Sequence, residues 1–454
     1  MSPAPAGEAP QPAAAARGWR AALALYGRRP VLTMLVLGYS AGLPFYLVYS
    51  TLSAWLRQSH IERKTITMLA WVGFAYSFKF LWSPLVDRLA IPLLSARLGR
   101  RRAWMLLAQA GIFIALVNLA ASDPAAGVMR MAGWALVLAF CAATQDIAID
   151  AWRIESAAVE AQGAMAAAYQ LGYRAALITA SSGALLLADR AGWHASYLTM
   201  ALLVGVGVAA TLYAREPRVA AMPPLFAGGA GPTARVGAWF ATAVVGPLAD
   251  FLARRGVALA LVSLFFMFSY RLSDFAAGSM ANPFYLDKGY TLSDIGTVVK
   301  LYGLLASLVG VVIAGGVIAR FGLVRALVAG SVMMALSQLG FLALAHAPAP
   351  GLAGLGLLNA WDNLAQAMHG TALIAFLSGC TSASFTATQY ALFSSLYAMP
   401  GKFLEGFSGR IVDHVGYEAF YGYTALLNVP GLLLLAWLAW RGGVVARDHA
   451  VQRA

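Results

Sequence analysis

The sequence predicts an all-α integral membrane protein with twelve transmembrane helices arranged as two six-helix halves. Three observations lead there. The chain is 60% hydrophobic and 11% charged, where a soluble domain is about a quarter charged. Apolar runs of roughly 20 residues, the length that crosses a bilayer, recur along its 454 residues. Short motifs also occur twice, at matching places in the two halves.

The runs fall at about 31–56, 66–86, 103–121, 128–151, 163–188, 193–214, 257–286, 292–318, 324–346, 350–381, 385–411 and 417–440. Some are long enough to require tilt or a kink, and Pro44, Pro283 and Pro400 are the candidate kinks. Arginines cluster on one side: Arg17, Arg20, Arg28 and Arg29, then Arg88, Arg97, Arg100, Arg101, Arg102 and Arg153, then Arg215, Arg218, Arg235, Arg254, Arg255, Arg320 and Arg325. By the positive-inside rule that side is cytoplasmic, and both termini lie there. The formal charge of +13 therefore reads as topology. No basic patch interleaved with aromatics points to nucleic acid. Residues 1–30 read as a cytoplasmic tail whose Pro/Ala-rich start suits disorder, with no cleavable signal peptide. Residues 31–214 and 257–440 form the two bundles, 215–256 a cytoplasmic linker with a possible amphipathic helix in Val236–Arg255, and 441–454 a second tail.

The repeat pairs Asp189-Arg-Ala-Gly-Trp-His-Ala-Ser-Tyr197 with Asp413-His-Val-Gly-Tyr-Glu-Ala-Phe-Tyr421, and Pro44-Phe-Tyr-Leu47 with Pro283-Phe-Tyr-Leu286. Halves related in parallel are the mark of the major facilitator fold. Between spans two and three, Trp82-Ser-Pro-Leu-Val-Asp-Arg88 is followed by Leu98-Gly-Arg-Arg-Arg102, resembling the superfamily's loop motif with an insertion. Gly316 to Gly322 is a weaker copy, with Ala319 in place of the usual acid. Asp87 and Arg88 are the candidate cytoplasmic gate, an aspartate near helix ends being able to hold arginines of neighbouring helices. Arg100 to Arg102 read as plain topology.

Lys79-Phe-Leu-Trp-Ser-Pro-Leu-Val-Asp-Arg88, Gln145-Asp-Ile-Ala-Ile-Asp-Ala-Trp152, Leu171-Gly-Tyr-Arg174 and Phe385-Thr-Ala-Thr-Gln-Tyr390, with Leu37 to Pro44, resemble the AmpG muropeptide permease family over most of the chain. The resemblance implies proton-driven import of anhydro-muropeptides across the bacterial inner membrane. It also implies a part in peptidoglycan recycling and β-lactamase induction. The partners expected are a small sugar-peptide substrate, protons and the lipid bilayer, with the protein a monomer.

A charge at bilayer depth costs at least ~2.5 kcal/mol, so it faces the bundle interior or a wet cavity. Asp146 and Asp150, four apart, share a helix face with Arg153. They are the leading proton-coupling candidates, followed by Asp274 and Asp362; Asp150 also reads as a simple pair with Arg153. Lys79, Arg174, Arg271 and Lys300 are candidate cations for substrate carboxylates. Lys79 or Arg174 is otherwise expected to pair with Asp146, and Arg271 with Asp274 three residues on. Gln145 is placed to bind an acetamido group or another helix. Gln389, Tyr46 and Tyr285 complete the candidate substrate set, the tyrosines doubling as aromatic core. His369 extends a stripe with Asp362 and Gln366. Cys141 and Cys380 read as small core residues. No P-loop, metal-ligand spacing or G-x-S-x-G elbow occurs, so neither catalytic residue, cofactor nor metal is expected. The rivals are a major facilitator drug or peptide exporter, a membrane-embedded transferase, and a receptor without transport.

Overall fold

Inside a bilayer each backbone polar group must find its partner within the protein, and helices achieve this segment by segment. The computed structural model describes residues 24–59, 61, 74–158, 161–217, 241–278, 280–291, 294–347 and 351–442, with Arg20, Gly237 and Trp239. The Pro/Ala-rich start of the first tail, the second tail beyond Gly442 and the Pro/Gly-rich part of the linker lie outside the described residues, whereas Leu25–Gly27, expected in the first tail, is a short helix whose Tyr26 hydroxyl donates to the Val312 carbonyl of the second half (3.0 Å). Among those described no strand occurs, and the helices group into twelve successive segments besides the short Leu25–Gly27 and Leu94–Leu98 and a linker helix.

In the first half, α1 is Arg29–Tyr46 continued through Leu47–Thr51 and Leu52–Gln58; α2 is Phe74–Phe78, Lys79–Leu81 and Ser83–Arg88; α3 is Arg100–Ala120; α4 is Pro124–Glu155. Gln162–Ile178 runs on without a loop into the helix ending at Tyr213 and bends at Gly192, which divides α5 (162–191) from α6 (193–213). In the second half, α7 is Val257–Tyr270, Leu272–Gly278 and Ala281–Asp287; α8 is Ile295–Tyr302 with Gly303–Phe321; α9 is Leu323–His346; α10 is Leu352–Cys380. Gly416 divides α11 (386–415) from α12 (417–440). A linker helix, Gly246–Arg255, precedes α7.

Seven of the described stretches are long and apolar enough on their own to cross a membrane, among them α3, α4, α8 and α9. The fragmented α2 is not in that group, nor is α10, which carries Asn359, Asp362, Asn363, Gln366 and His369. The described helices are those of a multi-pass membrane protein.

The repeat has a structural meaning. Gly192 and Gly416 both take a left-handed φ, 84° and 76°, a conformation that glycine adopts at little cost. Each reverses the chain with no further loop. The tyrosine closing each motif is buried and returns to the proline quartet of its own half. Tyr197 donates to the Leu47 carbonyl on α1 (3.0 Å), and Tyr421 packs its ring 5.1 Å from Phe284 on α7. The kinks differ from one another. Pro44 stays inside α1, followed by the wide turn Leu47–Thr51, Pro400 stays inside α11, and Pro283 opens a fresh helical piece.

Small residues set the helix contacts, as expected where lipid gives no hydrophobic drive to association. A Cβ on Gly38 or Gly42 would collide with the Tyr169 or Tyr173 backbone of α5, and one on Gly172 with the Leu35 carbonyl of α1. Between the halves, Gly163 of α5 faces Ile318 of α8, and Gly315 faces Ala167 and the hydroxyl of Tyr26. A buried polar ladder stitches the first half: Gln145 of α4 exchanges bonds with Ser40 of α1 (Oγ to Oε1 3.1 Å, Nε2 to the Ser40 carbonyl 2.9 Å). Gln109 of α3 reaches Ser40 (3.5 Å) and Thr211 of α6 (3.0 Å).

Gly172→Ala should lower detergent-solubilised stability by about 1–3 kcal/mol, the usual cost of overpacking. Gly205→Ala, where an added Cβ meets nothing within 4 Å, should leave the melting temperature within error.

Candidate functional site

Two breaks in helices position the interior cations. Pro84 has no N–H for the Phe80 carbonyl and disfavours helix at the residue before it. Accordingly α2 tightens over Lys79–Leu81 and restarts at Ser83, leaving Lys79 buried at the start of the tight turn. In α7 the helix stops at Tyr270, and Arg271 occupies the break (φ −108°, ψ 11°). Non-helical backbone at membrane depth is tolerated where it is buried in protein or lines a cavity.

Lys79 Nζ lies 3.7 Å from Asp150 Oδ2. The expected pairing with Asp146 is not the one observed: Asp150, one turn nearer the Arg88 end of α2, is the acid that the tight turn brings within reach. Asp150 is shared with Arg153 (3.4 Å). Arg153 is wholly buried and crosses to the second half. Its Nη1 donates to Ser378 of α10 (2.6 Å), and its guanidinium lies 4.9 Å from the Tyr390 ring centre of α11. Asp146 is buried, 8% exposed, with an Oδ1 that no donor among the described residues reaches; Lys79 and Asp150 are its charged neighbours.

Arg174 makes no hydrogen bond or ion pair among the described residues, so the alternative of a pair with Asp146 is not realised. Its electrostatic neighbours are Tyr46 on α1 and, across the halves, Arg271 and Asp274. Arg271 Nε donates to Asp274 (2.7 Å), and its Nη2 reaches the same oxygen. Tyr46 is half-buried against Phe45 (5.4 Å). Lys300 lies on Ile295–Tyr302, its side chain outside the described residues.

Three expected substrate contacts are otherwise engaged. Gln145 is 0% exposed, with its amide committed to Ser40. Gln389 is also 0% exposed. It donates to the Pro247 carbonyl (2.9 Å) and Asp250 (2.7 Å) and accepts from the Ser382 N–H (2.6 Å), tying α11 to the linker helix. Tyr285 is 2% exposed among Phe284, Tyr290 and Phe341. Both amides have neighbouring helices for partners, and the tyrosine belongs to an aromatic core.

In the second half, Asp362 accepts from Ser337 (2.6 Å) and Gln366 (2.7 Å). His369 is 0% exposed. Its ring centre lies 3.9 Å from that of Tyr270, and neither ring nitrogen has a hydrogen-bond partner among the described residues.

At the arginine-rich end the halves lock together. The first turn of α11 has no side-chain cap of its own, because Phe385 sits at its N-cap. Asp87 of α2 supplies one from the opposite half. Its carboxylate accepts the N–H groups of Ala387 (3.1 Å) and Thr388 (2.8 Å) and the Thr388 hydroxyl (2.6 Å), where orphan donors and the helix dipole favour an anion. Arg101 completes the site. It is 1% exposed and bonds Asp87 (2.9 Å), the Val86 carbonyl (3.0 Å) and Glu155 of α4 (3.0 Å). From the sequence, Asp87 and Arg88 are the gate candidates, with the aspartate expected to hold arginines of neighbouring helices, and Arg101 reads as topology. Arg88 instead lies over the Phe385 ring (5.4 Å), so Arg101 is the residue that was missed. Glu216 does for α3 what Asp87 does for α11, accepting the N–H groups of Arg101 (2.7 Å) and Arg102 (3.1 Å). Burial pushes the Glu216 carboxyl up, and those two backbone bonds oppose the shift.

A model described as the Major Facilitator Superfamily matches residues 65–403. The anhydromuropeptide permease of Escherichia coli K12 is 36% identical over 404 residues, covering 88% of this chain and 78% of the relative. The putative transporter AmpG 4 of Rickettsia conorii is 31% identical over 407 residues, covering 89% and 95%. Among solved structures, the proton:xylose symporter XylE bound to 6-bromo-6-deoxy-D-glucose aligns with a TM-score of 0.59 at 14% identity, over 94% of this chain and 96% of its own. The human organic anion transporter MFSD10 gives 0.60 at 15%, over 92% and 99%. At such identities these two speak for the fold alone.

Removing one partner of a buried ion pair costs about 3–5 kcal/mol, so Asp87→Ala should open the arginine-rich end. In a Cys141→Ser background, maleimide labelling of buried Cys380, beside the α11 start, should then accelerate by about tenfold or more. An unchanged labelling rate would remove Asp87 from the lock.

Proposed function

The chain belongs to the major facilitator superfamily and, within it, to the AmpG family of anhydromuropeptide permeases, and from that premise we propose that it imports anhydro-muropeptides by alternating access coupled to protons. The observation that carries the reading is Arg174. A guanidinium at mid-membrane depth is costly without an anion, and this one has no acid bonded to it among the described residues, its charged neighbours being the Arg271–Asp274 pair of the other half. Two cations contributed by opposite halves suit a substrate bearing carboxylates, such as the peptide stem of a sugar-peptide, because binding draws the halves together. Lys300, on α8, belongs to the same proposal, and Tyr46 is placed to stack a sugar face.

Coupling is assigned to Asp146. Its undonated carboxylate oxygen beside the Lys79–Asp150 pair is the place where a proton removes the most uncompensated buried charge. Asp150, Asp274 and Asp362 already have donors, which leaves them secondary. The arginine-rich end is assigned to the cytoplasm, with both termini there, in the inner membrane. The lock then closes the cytoplasmic side, which leaves the site to receive substrate from the periplasm. The physiological setting is peptidoglycan recycling and the β-lactamase induction that depends on it, with the protein acting as a monomer.

Labelled anhydro-muropeptide should enter cells that lack their native permease and express this chain; no uptake at normal membrane levels would overturn the substrate. Arg174→Gln should raise KM by roughly tenfold or more, the loss of a charge-assisted bond. In proteoliposomes, Asp146→Asn should abolish gradient-driven accumulation while counterflow exchange persists. Wild-type accumulation by that variant between about pH 5 and 8 would take Asp146 out of the coupling role.

A further inference from the structure

A groove runs between α3 and α6 on the bilayer-facing side of the first half. It has a volume of about 600 Å³ and is lined by Leu106, Ala110, Phe113, Leu202, Gly205 and Ala209 among others. Its floor is shallow because Ala110, Gly205 and Ala209 are small and exposed, and a Cβ built on Gly205 meets no atom within 4 Å. The one polar residue in the lining, Gln109, is turned inward to Ser40 and Thr211. The open face is therefore predominantly apolar, and along α3 it extends from Leu106 to Phe113, about 10 Å at the helical rise.

The head of the groove is cationic. Arg102 stands one turn above Leu106 on the same face of α3. It is held there by the carbonyls of Thr211 (2.9 Å) and Leu212 (2.7 Å) at the end of α6, and Leu212 itself lines the groove. Beside it the exposed Arg29 donates to the Tyr213 carbonyl (2.9 Å), with its guanidinium 4.1 Å from the Tyr213 ring centre. No carboxylate is bonded to either guanidinium among the described residues. Two arginines at the end of an apolar trough, at the level where α3 and α6 leave the hydrocarbon, present the charge and shape that an acyl chain attached to an anionic head group would fill.

We infer that the α3–α6 groove is a binding site for an anionic phospholipid, its acyl chain lying along Ala110, Gly205 and Ala209 and its phosphate between Arg102 and Arg29. A zwitterionic lipid fits the same trough, but its ammonium group cancels the attraction that the two arginines provide. The site is independent of the transport cavity and of which substrate the protein carries.

The test is native mass spectrometry of the full chain in mild detergent, titrated with phosphatidylglycerol and with phosphatidylcholine of identical chains. Each arginine near the membrane surface contributes a comparable attraction to an anionic lipid, so the wild type should prefer phosphatidylglycerol by roughly thirty-fold. Arg29→Gln combined with Arg102→Gln should reduce that preference to near unity while weak binding persists. Gly205→Phe should lose the tight lipid through the groove alone, with both arginines intact. Equal binding of the two lipids by the wild type would overturn the inference, as would preference retained in the double variant. Should that variant fail to fold, the single Arg29→Gln change, at an exposed position, must by itself lower the preference several-fold for the inference to stand.

Discussion

The carboxylate of Asp87 is the contact on which the rest of this structure depends. A helix beginning without a cap leaves up to four N–H groups without partners, and α11 begins on a phenylalanine, which cannot cap it. The missing acceptor comes from the other half of the molecule, across some three hundred residues of chain. Because Arg101 neutralises the same carboxylate and is itself held by Glu155, the start of α11 is bound into a network whose acids and cation all belong to the first half. The two bundles share no covalent connection there, so the arrangement reports their relative position directly.

The repeat shows how two similar halves can carry different chemistry. Each reverses at a left-handed glycine and buries the tyrosine five residues later against its proline quartet. On that common frame the first half concentrates acids and cations on α2 and α4, while the second carries a self-contained Arg271–Asp274 pair and an Asp362 satisfied by neutral donors. The backbone likeness to sugar and organic anion transporters extends over nearly the whole chain at about one residue in seven identical.

The fold was legible in the sequence because composition, span length and the repeat are each set by the bilayer, which admits few alternatives. Side-chain roles were less so. A run of arginines beside a helix satisfies the positive-inside rule whether or not one of them is buried, and only the tertiary meeting of Asp87, Glu155 and the start of α3 distinguishes Arg101 from Arg100 and Arg102. Glutamines at membrane depth are equally ambiguous: a neighbouring helix and a substrate offer the same carbonyls and hydroxyls. In Gln145 and Gln389 the neighbouring helix is the partner. The choice of Asp150 over Asp146 for Lys79 turned on the tight turn Lys79–Leu81 before Pro84, which helical spacing alone does not reveal.

Arg153 draws these threads together. Its two bonds into the second half, to the Ser378 hydroxyl and the Tyr390 ring, are short-range and neutral; its bond within the first half is to a charged acid. Any rotation that parts the bundles at that end strips the guanidinium of both neutral neighbours at once and leaves Asp150 as its sole counterion. Asp150 thereby ties the Lys79 ammonium of α2 to the guanidinium of α4 that reaches the second half.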